Sequence, residues 1–243
     1  MVSSPADPTI VSCPSPPSMV SIPSRVVAER SMVWLEASPV ILTPSLPPED
    51  VLKVVNDDYD EDVRALFPEV GAFDLNDQGK DSAISVSVGE GLFTAHVNDA
   101  DGGVGLVEVF RIPSAGIELV NLSARAVVSE GSRTLIGGFV LDGETVRTIL
   151  IRGIGPGLDM DGTLSDPVIY LYKGEELVAW TDDWGGNVFY KDFFEKAGAT
   201  GLAEDSKDAV LVLPLLPGAY TVHLVGKQGE EGIALLELYD LGD

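Results

Sequence analysis

The chain reads as all-β: two tandem antiparallel β-sandwich domains of jelly-roll or Ig-like type, the first incomplete at its N-terminus. Three observations predict this. A long block of sequence recurs in order, short apolar runs alternate with turn residues, and only one stretch has full helical spacing. The 243 residues are 45% hydrophobic, with a mean hydropathy of +0.20, so the chain can build packed cores.

The repeat is the strongest signal. Gly91-Leu92-Phe93-Thr94-Ala95-His96-Val97 matches Gly218-Ala219-Tyr220-Thr221-Val222-His223-Leu224, and Val104–Phe110 matches Ile233–Tyr239. Upstream, Asn56-Asp57-Asp58-Tyr59 matches Thr181-Asp182-Asp183-Trp184, and Ser38-Pro39-Val40-Ile41 matches Asp166-Pro167-Val168-Ile169. The order is kept and the offset stays between 125 and 129. The pairing predicts that 38–112 and 166–241 share one fold, with Phe93 and Tyr220 buried at equivalent points and Trp184 packed beneath its loop. Glu118–Ile154 has no visible counterpart before Ser38, so the first copy is expected to lack its front.

Along the chain, residues 1–24 read as a Pro/Ser-rich linker or arm. Ten of the sixteen prolines fall in the first fifty residues, and proline both removes a backbone donor and fixes φ. The first repeat then spans 25–115, with short strands expected at Val26–Ala28, Met32–Leu35 and Val40–Leu42. The second spans 116–243, with strands at Ile117–Leu122, Thr134–Leu141, Thr145–Arg152, Val168–Tyr172 and Leu177–Trp180. Ala209–Leu213 is continuously apolar, as in an inner strand covered on both faces. Ala219–Leu224 alternates, placing Tyr220, Val222 and Leu224 on one face and Thr221 and His223 on the other. Val188–Ala197 carries Phe189, Phe193, Phe194 and Ala197 at helical spacing, and Val63–Val70 is its shorter equivalent.

Charge and composition exclude several functions. Acidic residues outnumber basic ones 39 to 15, giving −24, which repels phosphate backbones and anionic lipid. The reading therefore predicts no nucleic-acid partner and no membrane insertion. Cys13 is the sole cysteine, which excludes an internal disulfide and a cysteine-based zinc site. No secretory signal is visible, because Pro14, Pro16 and Pro17 break the apolar run from Ile10 to Val20. A fragment of a larger protein is the expectation.

Candidate chemistry sits in two acidic places. Asp57, Asp58 and Asp60 crowd one loop, beside Glu61 and Asp62, and Asp182 and Asp183 occupy the equivalent loop. Ca²⁺ takes six to eight oxygens from such loops, so these five aspartates are the predicted metal ligands and Ca²⁺ the predicted cofactor. Asp159-Met160-Asp161-Gly162-Thr163 spells the nucleophile motif of haloacid-dehalogenase-type phosphatases, the alternative reading as a metal-dependent hydrolase. That motif needs an apolar strand directly before it, whereas Gly153, Gly155, Pro156 and Gly157 precede it here. The same glycines are read as a tight turn and not a phosphate cradle, since no helix start follows. His96 and His223 are expected as exposed surface residues, and Asn121-Leu122-Ser123 as part of a strand.

The run Asp166-Pro167-Val168-Ile169-Tyr170-Leu171-Tyr172, then Leu177-Val178-Ala179-Trp180-Thr181-Asp182-Asp183, then Pro217-Gly218-Ala219-Tyr220-Thr221-Val222 resembles the bacterial pre-peptidase C-terminal type of β-sandwich. Leu119–Ser123, Leu135–Phe139 and Leu150–Gly157 are similar to tandem repeats of large secreted proteins of environmental bacteria. The resemblance implies a non-catalytic module, secreted or at the cell surface. Such a module is a spacer, an adhesive or a unit contacting protein or carbohydrate.

Overall fold

The computed structural model describes residues 11–13, 18–24, 31–35, 40–44, 54–56, 58–70, 72, 74–75, 81–86, 91–97, 103–105, 107–112, 120–129 and 131–242. In the second copy, four strands form one antiparallel sheet. These are β10 (Asn121–Val128), β12 (Arg147–Ile154), β15 (Ala209–Leu215) and β17 (Gly232–Asp240), in the order β15-β12-β17-β10. The facing sheet has β11 (Leu135–Leu141), β13 (Pro167–Lys173), β14 (Glu176–Thr181) and β16 (Gly218–Gly226), in the order β11-β16-β13-β14. Period-2 alternation sends Ile149, Ile151 and Leu236 from the first sheet onto Ile169, Leu171, Val222 and Leu224 from the second, forming the main core. Tyr220 is buried as expected, stacked on Phe139 with ring centroids 5.4 Å apart.

A third layer covers the other face of the β12 sheet. Helix α3 in this copy spans Val188–Ala197, the stretch expected from its spacing. Asn187 caps its start by accepting from Phe189 N at 3.1 Å, and Gly198 ends it with φ of 65°. Its Phe194 joins Leu150, Trp184, Val210 and Tyr239 in a second cluster. Ala209–Leu213 is thus covered on both faces, but by a helix layer over a strand at the sheet's hydrogen-bonded edge. Arg152, fully buried, anchors the helix: its guanidinium lies 4.8 Å from the Phe194 ring centre, donates to Thr200 O at 2.9 Å and pairs with Glu237 at 3.2 Å.

The first copy repeats this plan. It contains β1 (Val11–Cys13), β2 (Ser18–Ser24), β3 (Ser31–Leu35), β4 (Val40–Pro44), β5 (Val54–Asn56), β6 (Ser82–Val86), β7 (Gly91–Val97), β8 (Gly103–Gly105) and β9 (Val107–Arg111). Its helices are α1 (Glu61–Arg64) and α2 (Phe67–Val70). The ladder β2-β7-β4-β5 reproduces β11-β16-β13-β14, and β6-β3-β9 with β1-β8 reproduces β15-β12-β17-β10. Registers agree: Ile22 faces Phe93 as Phe139 faces Tyr220, and Val33 faces Val109 as Ile151 faces Leu238.

The strands β1, β2 and β3 are therefore the counterparts of β10, β11 and β12. Strands at 11–13, 18–24 and 31–35 thus occupy the front that the sequence alone leaves missing. Within the stretch read as an arm, Val11–Cys13 and Ser18–Ser24 are strands. Their partners were hidden because the link from β12 to β13 has twelve residues, 155–166, where that from β3 to β4 has four, 36–39. That insertion shifts every match ahead of it. The strand expected at Ile117–Leu122 lies further on, at Asn121–Val128, and Val26–Ala28 falls outside the described residues.

The helix-covered cluster is duplicated almost residue for residue. Phe67, Leu75, Ala83, Ile112, Tyr59, Leu66 and Phe110 stand where Phe194, Leu202, Val210, Leu241, Trp184, Phe193 and Tyr239 stand in the second copy. Tyr59 meets Phe67 at 5.9 Å and 44°, and Trp184 meets Phe194 at 5.9 Å and 48°. Trp184 is buried beneath its loop as expected, whereas Phe93 is half-buried, unlike Tyr220.

Phe67→Ala and Phe194→Ala each remove a ring from such a cluster. Urea unfolding should show each variant destabilised by about 3–5 kcal/mol. A near-zero cost at Phe67 would contradict the shared packing.

Candidate functional site

Each predicted site residue has a definite place. β14 ends at Thr181, whose hydroxyl donates to Asp183 O at 3.2 Å, turning the acidic pair back over the sheet end. Asp182 lies 2.9 Å from Lys227 Nζ, and Lys227 also reaches Asp166 at 3.4 Å. Asp183 pairs with Lys207 at 2.8 Å. The hydrogen bond from Lys227 holds the Asp182 carboxyl below the usual carboxylate range, and the two lysines are correspondingly raised. The repulsion that pointed to a cation is thus relieved by two lysines.

In the first copy Asp60 stands where Asn187 stands in the second, and it too starts a helix. Asp60 caps α1, accepting from Val63 N at 2.9 Å, and exposed Asp58 donates its own N–H to Asn56 Oδ1 at 3.4 Å. Asp57 lies outside the described residues. Among the described residues, no three His, Cys, Asp or Glu side chains converge as a metal site would require. The sequence reading gave no part in the site to Lys207 and Lys227, which carry no motif, nor to Asp166, read there only as the start of a repeated strand; the three come from separate connections.

The Asp159–Thr163 segment lies in the inserted link. A one-turn 3-10 helix, Pro156–Leu158, separates it from β12, and Asp159 ends that turn in the left-handed region with φ of 47°. Asp159 and Asp161 are both exposed. The loop's buried residue is Leu164, which plugs the end of the main core while its N–H donates to Ile233 O at 2.8 Å. The glycine turn does form an anion cradle, but a carboxylate of the chain fills it. Gly155 N and Gly157 N donate to Asp208 Oδ1 at 2.8 and 3.2 Å, and Ser206 donates to Asp208 Oδ2. Asp208 is fully buried. A side chain on Gly155 or Gly157 would strike Leu164 or Asp208, which explains the glycines.

The outer face of β11-β16-β13-β14 carries a row read across four strands: Ile136, His223, Tyr170, Trp180. Tyr170 and Trp180 stack at 6.3 Å and 22°, and Tyr172 meets the His223 ring at 4.9 Å. Trp180 is 57% exposed. His223 is on the outward face as expected, yet half-buried beside the Tyr172 ring, and burial pushes its pKa down. His96 holds the same register position in the first copy, opposite Met19 and Ile41, but its side chain lies outside the described set.

No family model and no curated protein matches this chain. Among solved structures it is similar to the major capsid protein P2 of bacteriophage PM2, at 9% identity and a TM-score of 0.25, over 96% of this chain and 94% of that one. It is also similar to PNGF-II in two crystal forms, at 10% and 12% identity and TM-scores of 0.25 and 0.23. There it covers 97% of this chain but only 58% and 62% of theirs. No helix among the described residues is long and apolar enough to cross a membrane.

Proposed function

We propose that this chain is a non-catalytic structural and binding module of a secreted or cell-surface protein, contacting protein or carbohydrate. The observation that carries this is what the two copies share. The buried aromatic cluster recurs position by position, while the Asp159 loop belongs to one copy. Packing that recurs in both copies is what a spacer requires. Solvent-facing Trp180, with Tyr170 beside it, supports the contact function.

The alternative is the phosphatase-type hydrolase using Asp159 and Asp161. Hydrolysis of a phosphomonoester with Mg²⁺ should be no faster with the wild type than with Asp159→Asn. Turnover that vanishes in the variant would replace this proposal with the enzyme.

Calcium belongs to the proposal as a competitor of the lysines at Asp182 and Asp183. A bound ion adds RT ln(1 + [L]/Kd), about 2.7 kcal/mol at a hundredfold excess over Kd. Millimolar Ca²⁺ should raise Tm more than NaCl at matched ionic strength, more strongly still in Lys207→Ala/Lys227→Ala, and less in Asp182→Asn/Asp183→Asn. Equal responses to both salts in all three proteins would remove calcium from the account.

A further inference from the structure

The outer face of β11-β16-β13-β14 differs from the rest of the second copy in three ways. It is uncharged: in a chain of charge −24, no outward position along these four strands holds Asp, Glu, Lys or Arg. Lys173, next to Tyr172, takes the other side of the pleat, with its ammonium 5.2 Å from the Tyr220 ring, and Glu176 opposes it. Burial of His223 holds its imidazole neutral at pH 7. Its aromatic tips are also unbonded. Inside the fold, Trp184 Nε1 donates to Ala203 O, the Tyr220 hydroxyl to Leu216 O and the Tyr239 hydroxyl to Glu237. On the outer face, Trp180 Nε1, the Tyr170 and Tyr172 hydroxyls and the His223 ring have no hydrogen-bond partner among the described residues. Finally, the shared fold does not need these rings. Val55, Ile41 and Thr43 hold the register positions of Trp180, Tyr170 and Tyr172 in the first copy.

We propose that this face binds a neutral glycan, laid across the strands with sugar rings packed on Trp180 and Tyr170 and hydroxyls bonded to the unbonded aromatic tips. The inference rests on the contact function proposed above and names its partner. A sugar ring has an apolar C–H face and a rim of neutral donors and acceptors, which matches an aromatic body with a polar tip. The charge of −24 repels an anionic polymer, and a cation finds no carboxylate on this face. The row Ile136, His223, Tyr170, Trp180 crosses four strands in steps of about 4.8 Å, close to the length of one sugar unit. Four strands of about seven residues give a footprint of about 19 by 23 Å, whereas a standard protein partner covers about 800 Å² on each side. A protein would therefore spread onto the charged turns around the face, such as Glu175-Glu176, while an extended glycan fits within it.

Isothermal titration of the full chain with cellohexaose, chitohexaose and mannohexaose tests this, with polygalacturonate as the anionic control. At least one neutral hexasaccharide should bind at one site per chain, with an affinity indifferent to NaCl. Polygalacturonate should not bind. Trp180→Val/Tyr170→Ile gives the second copy the residues of the first. It should keep its Tm and lower the affinity by about tenfold or more, as loss of an aromatic anchor does. Trp180→Phe, which keeps a ring, should bind better than Trp180→Val, and Tyr172→Phe should lose less than either. Glycan binding that survives Trp180→Val/Tyr170→Ile would overturn this site and leave the contact function standing. Binding of none of the three neutral glycans would overturn the proposal and leave protein as the partner. Turnover that depends on Asp159 would instead remove the reading beneath it, and that result is independent of the titrations.

Discussion

The pairing of β2 on both its sides is the constraint from which the architecture follows. On one side β2 completes the first copy's ladder against β7, and on the other it extends the second copy's sheet through β10. Every strand N–H and C=O away from water needs a partner, so a strand between two others has its conformation fixed from both directions. Pro23 is compatible with this place because it falls outside the three residues that pair with β10 and sits near the strand's end, opposite Leu92. With β2 seated, the strands that follow have only one plan to fill, and the second copy repeats it.

In the second copy, stability comes from two apolar layers on either side of one sheet, and the helix-covered layer recurs in the first. The second copy adds a polar frame to these. Arg152 is charged, fully buried and matched to Glu237, Thr200 and the Phe194 ring, so truncating any one partner leaves the guanidinium under-compensated. Burial and the neighbouring Glu237 also raise the Tyr239 hydroxyl, which stays protonated and donates to Glu237 at 2.9 Å. Asp208 does for the inserted link what Arg152 does for the helix, gathering two backbone amides and a serine hydroxyl around a buried carboxylate. In a chain of charge −24, the few lysines near the acidic loop have a larger share of the work than their number suggests.

Much of the fold was legible because it rests on local periodicity. The alternation of Ala219–Leu224 and the helical spacing of Val188–Ala197 read correctly, since the buried face repeats within each segment. The front of the first copy was illegible for two physical reasons. Proline and serine mask the strand pattern of Ser18–Ser24, and the eight extra residues in the β12–β13 link break the offset that revealed the rest of the repeat. The site was less legible still. Lys207, Lys227 and Asp166 meet only through tertiary packing, and the row from Ile136 to Trp180 depends on the register of four strands.

Directed disulfide formation between β2 and β10 tests the central claim most directly. In a Cys13→Ser background, Ser21→Cys and Ser123→Cys place thiols on directly opposed residues, and opposed Cα atoms fall within the roughly 4.4–6.8 Å that a disulfide spans. Met19→Cys with Ser123→Cys displaces one thiol by two positions. The account predicts rapid, near-complete oxidation of the 21–123 pair within the monomer and little for the 19–123 pair. Equal yields from the two pairs, or none from either, would contradict it and return residues 1–24 to the status of an arm.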